Sequence, residues 1–298
     1  VNDWKDTYGM HFSPSFTVTG GEPFLRADLF DILSSIRNQG FDISLLTNGI
    51  LADDTRAKSL SAIGVKSVQV SIEGPEQIHD SIRGKGSFSG SRRGIRNLLD
   101  AGLTVTLNVT LSALNAGYFT DSIELAQTWN VQRLGFSRLV PSGRGEGLLK
   151  EMLSTKNVKD LYRKIFALDT GALEIVTGDP VASQVTGSNS DDQGDIPMGG
   201  CAAGVSGLTI MPDGTMVPCR RLHIPIGNIR HWNVGHLPQY GGASRRSRRA
   251  REWGFNRQRD GTGAGLRAIC QRDLHAVCEA HDWKLQRRRD DYRGFRNG

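Results

Sequence analysis

An α/β fold built on a parallel sheet is what this sequence predicts, and three observations predict it. Between Ser15 and Leu139, short β-branched or apolar runs alternate with segments of helical period. Within those segments apolar residues recur at three and four positions, which gives each helix one buried stripe. Glycines stand where such segments stop, at Gly40, Gly64 and Gly102, and a residue with positive φ ends a last turn at little cost. Regular strand–helix alternation yields a parallel sheet, because right-handed crossovers lay each helix over one face of it.

The elements follow in order. Strands are predicted over Ser15–Thr19, Asp42–Thr47, Ser67–Ile72, Thr104–Leu111 and Arg133–Leu139. A sixth is expected ahead of Val1. The first helix carries Leu29, Ile32, Leu33 and Ile36 on one stripe, and a later one carries Ile95, Leu98 and Leu99. Residues 177–200 are rich in Gly, Ser, Asn and Asp and predict a linker or lid. Beyond it, Gly207–Met211 and Thr215–Pro218 flank Pro212-Asp213-Gly214, a hairpin signal with glycine at the position that needs positive φ.

Composition narrows the function class. The chain has 298 residues, 38% hydrophobic and 23% charged, enough for one large domain with or without a small annex. No apolar run approaches the roughly 18 residues of a membrane span, and the first thirty residues lack a secretory pattern; a cytoplasmic protein without a membrane partner is expected. Its four cysteines are Cys201, Cys219, Cys270 and Cys278, too sparse for a disulfide scaffold and better suited to thiols or metal ligands. The net charge of +6 is unevenly placed: residues 230–298 hold 16 Lys and Arg against 7 Asp and Glu, a balance of +9, leaving −3 for residues 1–229. Basicity is a property of the tail alone.

Polar residues collect at the carboxyl ends of the predicted strands. Thr19-Gly20-Gly21-Glu22-Pro23 lies between a strand and a helix. Two glycines permit close approach of a ligand, Glu22 offers a carboxylate to an ammonium group, and Pro23 fixes φ at the helix start. A tight turn with a solvated Glu is the alternative. Thr47-Asn48-Gly49 ends the next strand, Ser71-Ile72-Glu73-Gly74 the one after, and Asn108 lies in the fourth run. Singly, Asn48-Gly49 reads as a plain turn and Ser71 as a satisfied hydroxyl. Together they occupy the rim where the loops of α/β barrels converge and sites are built.

These segments carry a resemblance. Thr19 to Arg26, Leu45 to Gly49, and Val70 through His79-Asp80, Arg83-Gly84 and Gly86-Ser87-Phe88 resemble the radical S-adenosylmethionine (SAM) enzymes that end in a SPASM domain, over roughly residues 15–229. The resemblance implies an incomplete (β/α)6 radical SAM barrel over residues 1–197, the start of a SPASM domain with a small β-hairpin over 198–229, and an irregular basic tail over 230–298. It implies SAM and 4Fe-4S clusters as cofactors. Gly20, Gly21, Glu22 and Pro23 would hold the methionyl amino group, Asn48 would share the mouth, Ser71 and Glu73 would face the ribose and methionyl end, and Asn108 would add a polar contact. His79, Asp80 and Arg83 match the family pattern too, and a salt-bridge cluster at a helix start accounts for them equally well. Arg138, Pro141, Gly143 and Arg144 would meet substrate or adenine, or form a solvated loop. Cys201 and Cys219, the latter as Gly214-x4-Cys219, match the opening of the SPASM cluster motif; thiolates are suitable ligands for iron–sulfur clusters, and two structural cysteines or a zinc pair are the alternatives. Partners implied are a peptide, protein or tetrapyrrole substrate and an electron donor such as flavodoxin or ferredoxin.

Two departures matter. The family holds its catalytic cluster through Cys-x3-Cys-x2-Cys after the first strand, and no cysteine precedes Cys201 here. No catalytic residue is therefore assigned, the chain as it stands is expected not to cleave SAM, and it reads as lacking the first strand and cluster loop, through truncation or evolutionary loss. After Ile226-Gly227-Asn228-Ile229 the family pattern stops, and Ser244-Arg245-Arg246-Ser247-Arg248-Arg249 follows, with only Cys270 and Cys278 where four cysteines are expected. Back-translating Ala280 to Leu285 and shifting by one nucleotide permits Met-Thr-Gly-Asn-Tyr, which is similar to a late family segment, so a frameshift soon after Ile229 is expected. Two other functions stay open: nucleic-acid binding through the Arg-rich tail, where aromatic interleaving is thin, and a non-catalytic SAM-binding scaffold.

Overall fold

The computed structural model describes residues 15–141, 143–179, 181–182, 185, 207–221 and 224–230. The chain divides into two units, Val1–Asp191 and Asp192–Gly298. In the first, six parallel strands form one sheet: β1 (Ser15–Val18), β2 (Asp42–Thr47), β3 (Ser67–Ser71), β4 (Thr104–Leu111), β5 (Arg133–Arg138) and β6 (Glu174–Val176), in that spatial order. Five of them lie within one residue of their predicted bounds. The sixth was not anticipated at this place. Three residues are too few to show a period, and β6 is fixed instead by pairing with β5, where Arg133 Nε meets Glu174 Oε2 at 2.6 Å.

Strictly sequential order decides the architecture. When each parallel strand is added on the same side of the last, right-handed crossovers put every helix on one face. Those helices are α1 (Leu29–Asn38), α2 (Asp54–Ile63), α3 (Glu76–Arg83), α4 (Ser87–Asp100), α5 (Phe119–Thr128) and α6 (Thr155–Phe166). The link between β3 and β4 thus holds two helices. Ile43 and Leu45, Val68 and Val70, Leu107 and Val109, and Leu134 and Phe136 are buried in one core with Leu29 and Leu33 of α1, Leu60 of α2, Ile95 and Leu98 of α4, and Ile123 of α5. The alternate positions, Ser44, Gln69, Ser71, Asn108 and Ser137, are half-buried. One face is apolar and helix-covered, the other polar, as an open (β/α)6 barrel requires.

Local chemistry sets the helix starts. Asp53 accepts from Arg56 N at 2.8 Å to cap α2, and Ser154 accepts from Asn157 N at 3.2 Å to cap α6. Helix α2 stops at Gly64, whose φ of 83° lets its N–H turn back to Leu60 and Ser61.

In the second unit β7 (Thr209–Ile210) and β8 (Thr215–Val217) pair antiparallel around the predicted turn, and β9 (Gly227–Asn228) adds a third strand. Asp213 Oδ1 accepts from Thr215 N at 2.9 Å, while Gly214 adopts φ 85°. A Cβ there would stand 2.9 Å from Asn228 Oδ1, so conformation and space both select glycine. Cys201, Cys270, Cys278 and the tail after Arg230 lie outside the described residues.

Candidate functional site

Glu22 follows β1 and turns its carboxylate toward the end of β2. Its Oε1 accepts from Thr47 Oγ1 at 2.7 Å and from Phe24 N at 3.2 Å. Its Oε2 accepts from Asn48 N at 2.8 Å. The second bond caps the short 3-10 turn Pro23–Leu25, in which Pro23 fills the first position. Three donors from two loops therefore fix the orientation of one half-buried carboxylate, and Oε2 keeps a lone pair for a further donor.

Asn48 reaches this arrangement through its backbone N–H. Its side-chain Oδ1 accepts instead from Ile50 N at 2.8 Å, which shapes the turn. Thr47, named in the motif but not assigned to the site, links the two ends: its hydroxyl donates to Glu22 and accepts from Gly49 N at 3.0 Å. Gly20 and Gly21 precede this cluster. Neither has positive φ, and a Cβ on either would meet nothing within 4 Å among the described residues.

Ser71 is the last residue of β3 and lies opposite Asn108 of β4, which in turn lies opposite Gly135 of β5. These share one level on the polar face, which is the end of β3 but lies within β4 and β5. Asn108 Oδ1 accepts from Ser137 Oγ at 3.1 Å. Gly135 makes room for it, since a Cβ there would stand 3.0 Å from Asn108 Oδ1. No hydrogen bond joins the Ser71 hydroxyl to another described residue. Glu22 and Asn48 thus follow β1 and β2, Ser71 ends β3, and Asn108 lies level with Ser71 inside β4, three residues before its end.

Glu73 differs from these. Its side chain is 3% exposed and its carboxylate is fully engaged: Arg83 Nε at 2.9 Å, Thr110 N at 2.9 Å and Asn115 Nδ2 at 3.4 Å. The same Asn115 amide donates to Glu73 O at 3.1 Å and Thr110 O at 3.0 Å. Glu73 ties the β3–α3 loop to the end of β4.

His79 and Asp80 complete that tie. The Nδ1 of His79 accepts from Glu73 N at 3.1 Å, which places the proton of the neutral ring on Nε2. That Nε2 is buried with no hydrogen-bond partner among the described residues, and the ring meets Phe88 edge-on at 5.7 Å between centroids. Burial, with the Arg83 charge second, pushes the His79 pKa down to about 4. Asp80 accepts from Phe88 N at 2.8 Å, Gly86 N at 2.6 Å and Ser87 Oγ at 3.2 Å, and these donors hold its carboxyl below the usual carboxylate range. The acidic, basic and imidazole groups of this segment are spent on joining α3 to α4 and both to β4.

At the end of β5, Arg138 Nε pairs with buried Asp179 Oδ2 at 3.1 Å. Tyr162 OH reaches the same oxygen at 3.3 Å, and burial with that neighbouring carboxylate pushes the phenol pKa well up. Arg138 therefore anchors the segment after β6. Pro141 is half-buried, and the burial of Gly143 and Arg144 lies outside the description. In the second unit, Cys219 Sγ accepts from Arg221 N at 3.4 Å. Its predicted companion Cys201 lies outside the described residues, and among those described no group of three or more His, Cys, Asp or Glu is placed to hold a metal.

Known proteins are similar to this chain over much of its length. The AdoMet-dependent heme synthase of Nitratidesulfovibrio vulgaris is 28% identical over 244 residues, which cover 76% of this chain and 65% of that protein. Mycofactocin maturase MftC of Mycolicibacterium smegmatis is 29% identical over 165 residues, 54% of this chain and 41% of that protein. The chain thus spans just under two thirds of the first and less than half of the second. Among solved structures, native anSMEcpe with bound AdoMet superposes with a TM-score of 0.57 at 19% identity, covering 76% of this chain and 67% of that one. The family model of the Radical SAM superfamily matches residues 7–126, a stretch that contains Glu22, Asn48, Ser71 and Asn108, and this part of the chain is a radical SAM domain.

Proposed function

We propose that the rim binds SAM, with Glu22 receiving the methionyl ammonium and Ser71 and Asn108 offering polar contacts to the ribose and methionyl end. The observation that carries this is the Glu22 carboxylate, held by Thr47 and Asn48 at the carboxyl end of the strands with a lone pair to spare. Gly20 and Gly21 support it. Their identity answers to neither φ nor a crowded neighbour among the described residues, so a ligand lying against the backbone is a sufficient reason for it. Glu73 is assigned an indirect part, since its three partners leave it to shape the loop beside Ser71.

Bound SAM supplies the hydrogen-abstracting chemistry of the superfamily. The thiolates that chemistry needs are a separate matter: residues 1–200 contain no cysteine, so the residues present do not fit a catalytic 4Fe-4S cluster, and no step is derived through one. Cys219 fits an auxiliary cluster ligand by its chemistry, with Cys201 proposed as its partner. We assign the substrate to the tetrapyrrole class, because the heme synthase aligns with three quarters of the chain and the peptide maturase with about half. An electron donor such as flavodoxin or ferredoxin goes with this reading.

The test compares SAM with 5′-methylthioadenosine, which shares the adenosine and thioether but lacks the amino acid. Binding is read by ligand-observed NMR, which suits weak affinities. A hydrogen bond to a charged group contributes about 1.5–3 kcal/mol, and each 1.4 kcal/mol is tenfold. Glu22→Gln should therefore weaken SAM by about tenfold or more and leave 5′-methylthioadenosine unchanged. Equal affinity of the wild-type chain for the two ligands would refute the assignment.

A further inference from the structure

The loop that orients Glu22 is itself held from outside the barrel by the small-residue face of α4. Ser91 Oγ donates to Asn48 O at 2.7 Å. Three residues on, a Cβ at Gly94 would stand 1.9 Å from Gly49 O, so the helix and the loop backbone are in direct contact and no other residue fits. One further turn along, Asn97 Nδ2 donates to Ala52 O at 2.8 Å. Positions 91, 94 and 97–98 recur on one helix face, and each of the three side chains or its absence addresses a successive part of the loop from Asn48 to Ala52.

The loop cannot relax away from this contact. Gly49 has φ 80°, and a Cβ on it would stand 2.8 Å from Val70 Cγ1 of β3. It is therefore clamped between β3 and α4. Its amino end carries the Asn48 N–H that binds Glu22 Oε2 and the Thr47 hydroxyl that binds Glu22 Oε1. A shift of the Gly49 carbonyl moves both donors.

We infer that Ser91 and Gly94 are positioning residues for the ammonium-binding carboxylate: they act on Glu22 through the 48–49 peptide without touching the ligand themselves. Sequence reading missed them because the segment showed only its apolar stripe. The available signal was Gly90, Ser91 and Gly94, small residues three and four apart inside a helix, where glycine costs stability and so asks for a packing reason.

This inference rests on the reading of Glu22 given above, and the experiment separates the two. The full 298-residue chain is measured against SAM and 5′-methylthioadenosine as wild type, Glu22→Gln, Ser91→Ala and Gly94→Ala. Positioning predicts that Ser91→Ala and Gly94→Ala weaken SAM severalfold to tenfold while 5′-methylthioadenosine is held as before. Should Gly94→Ala fail to fold, Ser91→Ala, which removes one hydrogen bond without adding volume, gives the decision alone. A selective loss in Glu22→Gln with none in Ser91→Ala overturns the positioning role and leaves the Glu22 reading intact. Equal loss of both ligands in Ser91→Ala marks a merely structural role and also overturns it. No selectivity for SAM in the wild-type chain overturns both.

Discussion

His79 shows at the scale of one residue how a motif that resembles ligand chemistry can serve the fold. The ring takes the Glu73 N–H on Nδ1 and is sealed under Phe88. Its pKa is about 4 in the folded chain against an ordinary 6.5. Between those values the unfolded chain binds a proton that the folded chain does not, so stability rises with pH across that window. The contribution is present above about pH 6.5 and lost as pH falls toward 4. At 1.36 kcal/mol per unit the swing is at most about 3 kcal/mol. Denaturant midpoints of wild type and His79→Asn measured from pH 4 to pH 7.5 should show the slope in the first and a flatter profile in the second. The motif that contains His79 was legible in the sequence, with a salt-bridge cluster as one of its two readings, yet the partners of Glu73 were not: Thr110 and Asn115, which complete the Glu73 cluster, stand 37 and 42 residues away and carry no pattern of their own. Glu22 was legible because glycines, a carboxylate and a proline between strand and helix state a local geometry, and its partners Thr47 and Asn48 end the very next strand.

Elements repeat the lesson with different physics. Strands β1 to β5 were readable because burial on the helix side imposes alternation and β-branched residues over four to eight positions. Strand β6 was not, since its three residues are selected by their neighbour and not by a period. Helix α2 is a case where capping matters more than amphipathicity, with only Ala57 and Leu60 fully buried. Its Asp53 cap satisfies the Arg56 N–H at 2.8 Å, and Asp53 Oδ2 also binds the Arg56 guanidinium at 2.8 Å. The ion pair is exposed and contributes little. Loss of the cap costs typically about 1 kcal/mol. Asp53→Ala should lower chain stability by about that amount in denaturant titration, and Asp53→Asn should recover most of it, because the amide oxygen still accepts.

The first unit carries its own core. Among the described residues the main buried cluster runs from Phe24 to Ala182, and the six-stranded sheet lies within residues 15–176. The basic excess, by contrast, belongs to residues 230–298, at +9 against −3 for the remainder. Stability and nonspecific attraction to phosphate are thus assigned to different parts of the chain, and one truncation tests both. Residues 1–191 alone should retain a cooperative unfolding transition and the SAM preference over 5′-methylthioadenosine, because the core, Glu22, Thr47, Asn48 and the α4 clamp all remain. Any binding to DNA in a filter assay by the full chain should be steeply salt-dependent, as counterion release by a charged tail requires, and should vanish in residues 1–191. Salt-resistant DNA binding that survives the truncation would place a nucleic-acid site on the barrel itself and overturn this division. Loss of the transition would show that the core of the first unit, to which α1, α2, α4, α5 and α6 all contribute buried residues, does not hold without residues 192–298.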